Sequence, residues 1–329
     1  MQVEQPAWET PSTRFIEGVV ELLVNQVALL DCLPQQHELK HQFIHRLLHG
    51  DNSSEEDLLR EGQILGMDLS RPRAFLLIDA SATLRSREDA TADGWQDNSV
   101  RDWLQAQTLI RQVVRFFSLP SDAICAYLGQ GEIAVLKASS SQDLDPWVTR
   151  KQAPGETPSS WSNLGAVKNA AAQLLDTLQR DSKAPVLLGI GRYHPGIRGL
   201  MRSYEDARAA LSIGRKLSRE GRLFCLDELG LAALVGITDQ ETRVDLARHL
   251  LGPLEAESEL LKTLQTFFSD NCSIIAAASH LYIHRNTLNY RLEKISALIG
   301  LDPRKFDEAS LIRYALIICQ LSEDAPLCE

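Results

Sequence analysis

No run of apolar residues in this chain approaches the roughly 18 that a membrane-spanning helix requires, so no such helix is expected. Cysteine is sparse and scattered. Cys32, Cys125, Cys225, Cys272, Cys319 and Cys328 include no CxxC pair, which argues against a zinc ribbon or a disulfide scaffold and for reduced, buried thiols. The opening MQVEQPAWETPSTRF lacks a basic stretch followed by an apolar core. No secretory signal is therefore read there, and a cytoplasmic location is expected. Positive charge is also in deficit: 34 Lys and Arg against 44 Asp and Glu leave a formal net charge of −10. So acidic a chain does not coat nucleic acid indiscriminately, although a local basic surface can still read a specific site. What is present is an ordinary globular balance, 44% hydrophobic and 24% charged. A length of 329 residues suits two or three domains with a sizeable core.

Residues 1–12 read as a disordered leader. From Thr13 to Asp31, Ile16, Val20, Leu23, Val27 and Leu30 alternate four and three apart, the spacing of a coiled-coil seam, and Pro34 ends the run. Such a helix either pairs with a second copy or packs on its own chain. A second helix, about Gln35–Leu48, carries His37, His41, His45 and His49 at i, i+4 spacing, half of the eight histidines. Neighbouring imidazoles can chelate a metal, but no Cys or Asp completes a site, and a solvated or dimer-facing stripe that titrates near neutral pH accounts for them as well. A short helix over 55–66 follows, with Ser54 or Ser53 as its cap.

Then the texture changes. Arg73–Asp79, Ala123–Leu128, Glu132–Lys137, Val186–Gly191 and Arg222–Leu226 are apolar runs of strand length. Gly129-Gln130-Gly131 turns a hairpin between the second and third. Amphipathic helices are expected at about Val100–Phe117, Leu164–Arg180 and Ile197–Arg219, with surface loops over 81–99 and 138–162. This order makes an α+β palm-like domain. Beyond Asp227 the pattern is all-helical, with helices near Gln240–Leu251, Ala256–Phe268 and Asp307–Leu321.

Asn271–Gly300 is the most informative stretch. Ser273 can cap a first helix whose Ile274, Ile275, Ala277, Ala278 and Leu281 are expected to pack inward. A turn falls near Tyr282–His284. In the next helix Leu288, Leu292, Ile295 and Ile299 recur at i, i+4, i+7 and i+11, one buried stripe. At about 100° per residue the opposite face holds Asn286, Asn289, Tyr290 and Glu293. Arg285 and Thr287 sit in the first turn, and Arg291 and Lys294 flank the face. A DNA-binding helix-turn-helix needs such an arrangement, with Arg able to bond guanine and Asn adenine. A packed helical hairpin with a solvated face is the other reading.

The segment LYIHRNTLNYRLEKISALIGLDPRKFDEASLIRYALIICQL resembles the C-terminal DNA-binding domain of PucR-type regulators, and among them the sugar-diacid (carbohydrate diacid) regulator family. In that family a His-Arg-Asn-Thr-Leu run opens the recognition helix, followed by Tyr-Arg-Leu and a Gly-Leu-Asp junction. Here these are His284, Arg285, Asn286, Thr287, Leu288, Tyr290, Arg291, Leu292, Gly300, Leu301 and Asp302. The resemblance runs from about Arg14 to the C-terminus, through LGMDLSRPRAFLLID and GIGRYHPGIRGLMRSYEDARAAL, which match a middle domain related to the diguanylate cyclase (GGDEF) palm.

The resemblance implies an α+β chain in four parts. Residues 1–12 are a leader and 13–66 are N-terminal helices for linkage or dimerisation. A degenerate GGDEF-like palm, a mixed sheet with helices, occupies 67–227, and an all-helical PucR-type helix-turn-helix domain occupies 228–329. It also implies a sequence-specific transcriptional regulator, an activator, acting in the cytoplasm at the nucleoid as a homodimer on a double-stranded DNA operator. The DNA contacts would come from His284, Arg285, Asn286, Thr287, Asn289, Tyr290, Arg291 and Lys294. The family's N-terminal diacid-recognition domain is expected to be missing, and with it the pocket that would name an effector.

A working cyclase needs acidic residues on the first strand and at the hairpin to hold metal. Asp79 could serve on the strand. The position matching the third letter of GGDEF is Gly131, however, and Glu132 takes the fourth. We therefore expect no catalysis, no cofactor and no metal. The alternatives are a palm nucleotide cyclase or phosphotransferase, and a sensing module that does not itself recognise DNA. For a small-molecule effector, the best anion-site candidate is Gly189 and Gly191 with Arg192, His194 and Arg198, where a glycine-rich strand exit runs into a helix. Close helix–sheet packing explains those glycines equally. Ser203, Tyr204, Glu205 and Asp206 read as ordinary helix surface and packing.

Overall fold

The computed structural model describes residues 38–50, 53–82, 98–117, 122–147, 163–182, 186–217 and 222–322. The leader, the seam helix over 13–31, Pro34, His37, Cys32, Cys328 and most of the loops expected over 81–99 and 138–162 lie outside these residues.

Helix α1 (38–48) buries Phe43, Ile44, Leu47 and Leu48. Its outer side keeps the histidine stripe, in which the His45 and His49 rings stack at 4.1 Å. Burial, then His49 and His41, lower the pKa of His45. No group of three or more side chains disposed to hold a metal occurs among the described residues. Helix α2 (Glu55–Ile64) starts where Ser54 accepts the Asp57 N–H.

All five apolar runs form strands: β1 (Arg73–Asp79), β2 (Ala123–Gly129), β3 (Glu132–Ala138), β4 (Leu187–Ile190) and β5 (Leu223–Cys225). They make one mixed sheet in the order β2-β3-β1-β4-β5. β1 is antiparallel to both β3 and β4, whereas β4 and β5 are parallel. The central strand β1 is buried at every position, which is why RAFLLID is nearly continuous in apolar residues where a half-exposed strand would alternate. Leu76 and Ile78 face one layer, with α3 (Asn98–Phe117) and α4 (Leu164–Ser182). Phe75 and Leu77 face the other, with α1 and α5 (Arg198–Leu217).

The second layer does not stop at the palm. Its apolar cluster runs on through α6 (Leu231–Gly236), α7 (Gln240–Leu251), α8 (Ser258–Ser269), α9 (Ile274–His280), α10 (Arg285–Ile299) and α11 (Phe306–Leu321). Leu234, Leu246, Leu264, Ala277, Leu292 and Ile312 are all core residues of this one cluster. No helix among the described residues is long and apolar enough to cross a membrane.

One expectation fails here. Cys225 and Cys319 are buried, but Cys272 is exposed in the turn after α8. Of the residues read as helix surface and packing, Glu205 is the surface and Ser203, Tyr204 and Asp206 are the packing. The Ser203 hydroxyl accepts the Phe75 N–H at 2.9 Å, tying α5 to the central strand.

Candidate nucleic-acid interface

The helix pair is built by its ends. Ser273 accepts the Ala276 N–H and caps α9. The helix closes in a Schellman motif, the Ile283 N–H reaching the Ala278 carbonyl and the Tyr282 N–H the Ser279 carbonyl. Tyr282 takes the left-handed conformation that this motif demands, at φ 55°, where glycine is the usual occupant. His284 follows as the cap of α10, its Nδ1 accepting the Asn286 N–H at 3.2 Å. Gly300 ends α10 at φ 72°. Leu288, Leu292 and Ile295 are fully buried against α8 and α9, with Ile299 half-buried beyond them.

That anchoring turns the opposite side outward. His284, Arg285, Asn286, Thr287 and Tyr290 are exposed and Asn289 is half-exposed. Arg285 is exposed at the N-terminus of α10, where the helix dipole adds to its charge, so this end of α10 is electropositive. Arg291 and Lys294, expected beside the face, turn to α8 instead. Arg291 pairs with Glu259 at 2.8 Å and donates to the Thr263 hydroxyl, and Lys294 pairs with Glu257 at 2.7 Å. Both pairs clamp α10 on its support. Ile275, expected in the core, is 79% exposed on α9, because a helix of seven residues buries only one narrow side, Ala277 and Ala278. Tyr282, 96% exposed at the turn, also belongs to this surface. Sequence spacing does not reveal Tyr282 as a surface group, since its outward aim comes from the left-handed backbone.

The palm places Asp79 opposite Glu132 across β1 and β3. Asp79 is buried and pairs with Arg215 of α5. Burial pushes the Glu132 carboxyl above its usual range, with Arg208 opposing. A side chain at position 131 does not fit. Gly131 sits at φ 85°, and a Cβ there would lie 2.6 Å from the Ser81 backbone. The hairpin carboxylate that a cyclase metal centre needs therefore has neither a residue nor room, and Asp79 already has a cation. The residues do not fit a divalent-metal triphosphate site.

The glycine-rich exit of β4 is a packing feature rather than an anion cradle. A Cβ on Gly189 would meet the Ala207 carbonyl oxygen at 2.3 Å, and one on Gly191 the Ser203 carbonyl oxygen at 1.8 Å. Arg198 is exposed, apart from the other candidates. Arg192 is buried and its charge is already matched. Its guanidinium grips Asp206 through Nε at 2.7 Å and Nη2 at 3.2 Å, and reaches Asp245 on α7 through Nη1. His194 Nε2 lies 3.0 Å from the same Asp206 carboxylate. Burial would raise the Asp206 carboxyl, but the hydrogen bond with His194 and the Arg192 charge outweigh it and hold the group below its usual range. These residues thus form a buried clasp between the palm and the helical half, with Arg202 and Glu241 pairing outside it.

A mixed palm sheet sharing its core with a C-terminal helix-turn-helix defines a class of two-part regulators, and comparison with known proteins agrees. Residues 49–213, half of the chain, match the GGDEF-like domain, and residues 260–318 match the PucR C-terminal helix-turn-helix domain. The chain belongs to the family that joins these two. It is 24% identical over 308 residues to the carbohydrate diacid regulator of Escherichia coli (strain K12), covering 92% of this chain and 71% of that one. It is 27% identical over 159 residues to the proline-responsive transcriptional activator PutR of Bacillus subtilis (strain 168), covering 45% and 39%. It is 28% identical over 167 residues to the purine catabolism regulatory protein of the same organism, covering 49% and 31%. The crystal structure of the regulator of polyketide synthase expression from Bifidobacterium adolescentis shares the fold, with a TM-score of 0.52 at 16% identity over 86% of this chain and 97% of that one.

Proposed function

We propose that this chain is a sequence-specific DNA-binding transcriptional regulator that reads an operator with the N-terminal face of α10. One observation carries the reading. Arg285, Asn286 and Thr287 stand exposed on the first turn of a helix whose other side is locked by Leu288, Leu292 and Ile295. Such a turn can enter a major groove and present a guanidinium and a carboxamide to base edges. His284, Asn289 and Tyr290 would set register on phosphates, and Arg291 and Lys294 would do so only by leaving their glutamate partners. The names of relatives as regulators, one of them an activator, support activation in the cytoplasm without catalysis by the palm. Two reading helices in a homodimer suit a two-part operator. We take 67–227 as the palm and 228–329 as the reading half, joined by the clasp. The test is selection and sequencing of genomic fragments bound at near-physiological salt. A sharp motif is expected, and enrichment of no motif at any salt would count against the reading.

A further inference from the structure

A cleft of about 710 Å³ opens between α5 of the palm and the chain joining α6 to α7, and it shares no residue with α9 or α10. Its apolar floor forms where Gly236 lets α6 close on α5. A Cβ there would come within 2.7 Å of Ile213, which lines the cleft with Ile237. Four charged groups line the cleft: Glu205, Asp206 and Arg208 on α5 and, across from them, Asp239, of which Asp206 is taken by Arg192 and His194. Glu205, Arg208 and Asp239 make no ion pair within 4.0 Å among the described residues, although Arg208 also acts on Glu132 and Arg202 on Asp239 from further off. Arg208 lies over the Tyr204 ring, 5.5 Å from its centroid, and Asp239 accepts the Thr242 N–H at 2.7 Å to cap α7.

The charge pattern selects a ligand class. A dianion would face Glu205 and Asp239 with Asp206 behind them, and a simple cation would make no use of the exposed guanidinium. A molecule carrying both an ammonium and a carboxylate matches each group with its opposite. We propose that this cleft binds a small amino-acid-like zwitterion, its carboxylate on Arg208, its ammonium toward Glu205 and Asp239, and its side chain over Ile213 and Ile237. The volume lies within the range of small-molecule clefts, and a junction between two parts of a chain is a common place for one. The occupant would also touch the clasp. Asp206 lines the same cleft and holds Arg192, which reaches Asp245 on α7. Helix α7 packs on α11 of the reading half, so ligand binding bears directly on the contact that joins the two halves.

The test uses the full chain without DNA, so its failure leaves the DNA-binding reading intact. Thermal shift and calorimetry would be run against the twenty amino acids singly at millimolar concentration. Each binder would then be compared with its amine lacking the carboxylate and its acid lacking the amine. At least one amino acid is expected to raise Tm with a saturable isotherm while its amine and acid do not. Arg208→Ala and Glu205→Gln, both at exposed positions, should each weaken binding roughly tenfold or more, with Tm of the Glu205→Gln chain unchanged in the absence of ligand. The proposal is overturned if no amino acid binds, if the amine or the acid binds as well as the zwitterion, or if both variants bind like the wild type.

Discussion

Asp206 shows what one carboxylate can do when it is buried with its partners in place. A charge so placed is strongly unfavourable alone, and removing one member of such a group typically costs about 3–5 kcal/mol. Because the folded carboxyl is held below its usual range, its contribution is fully present above the unfolded value of about 3.9 and is lost as pH falls through the lower folded value. Asp206→Asn should therefore lower the urea unfolding free energy by several kcal/mol at pH 7, and this deficit should shrink below about pH 4. A deficit independent of pH would separate Asp206 from the Arg192 charge and the His194 hydrogen bond. Little of this was legible in the sequence. Asp206 lies on a polar stretch of an amphipathic helix, and only the fold brings β4, α5 and α7 together around it. Arg192 misled for the same reason, since a cation beside two glycines reads as an anion site until its carboxylates are seen. The exposed turn was plainer: a 3.6-residue period leaves Asn286 opposite Leu288, Leu292 and Ile295, and Arg285 and Thr287 follow from their place in the first turn of the same helix.

Individual elements were read from their ends and stripes. The five strands fall on the five apolar runs, because a sheet covered on both faces needs continuous apolar sequence, as β1 has. Ser54 and Ser273 cap α2 and α9 as their side chains suggested. Packing side was less legible in the short α9. Ile274 and Ile275 are equivalent by composition, yet only Ile274 packs against the core. The Ser273 cap fixes where α9 begins, and with it the approach to Tyr282 and His284. Ser273→Ala should cost about 1 kcal/mol of stability, and the chain should still fold. Leu292→Ala, which empties the centre of the α10 stripe, should cost about 2–5 kcal/mol. If thermal melts placed the two variants in the reverse order, the cap would matter more to the helix pair than its core.

At the scale of the molecule, the second face of the palm sheet and the helical half share one apolar cluster, bolted by the Arg192 clasp. The sequence divides the chain by texture near Asp227, but texture does not show that a core crosses that line. All five tryptophans lie at or before Trp161, whereas helices α6–α11 follow it. Tryptophan fluorescence thus reports the part before residue 228, whereas far-ultraviolet circular dichroism sums the helices of both halves, α1–α5 and α6–α11. Their urea transitions should coincide in one step, and a circular dichroism step with no matching fluorescence change would mean that the halves unfold separately. The same unity bears on function, because a reading helix fixed to the palm can be shifted by whatever shifts the palm. The central claim, that α10 reads DNA, rests on two side chains. The most direct measurement is the affinity of Arg285→Ala and Asn286→Ala for the selected operator beside the wild type. Each should lose about 1–3 kcal/mol and relax selectivity at one base pair with folding unchanged. Full retained affinity in both variants would contradict the account.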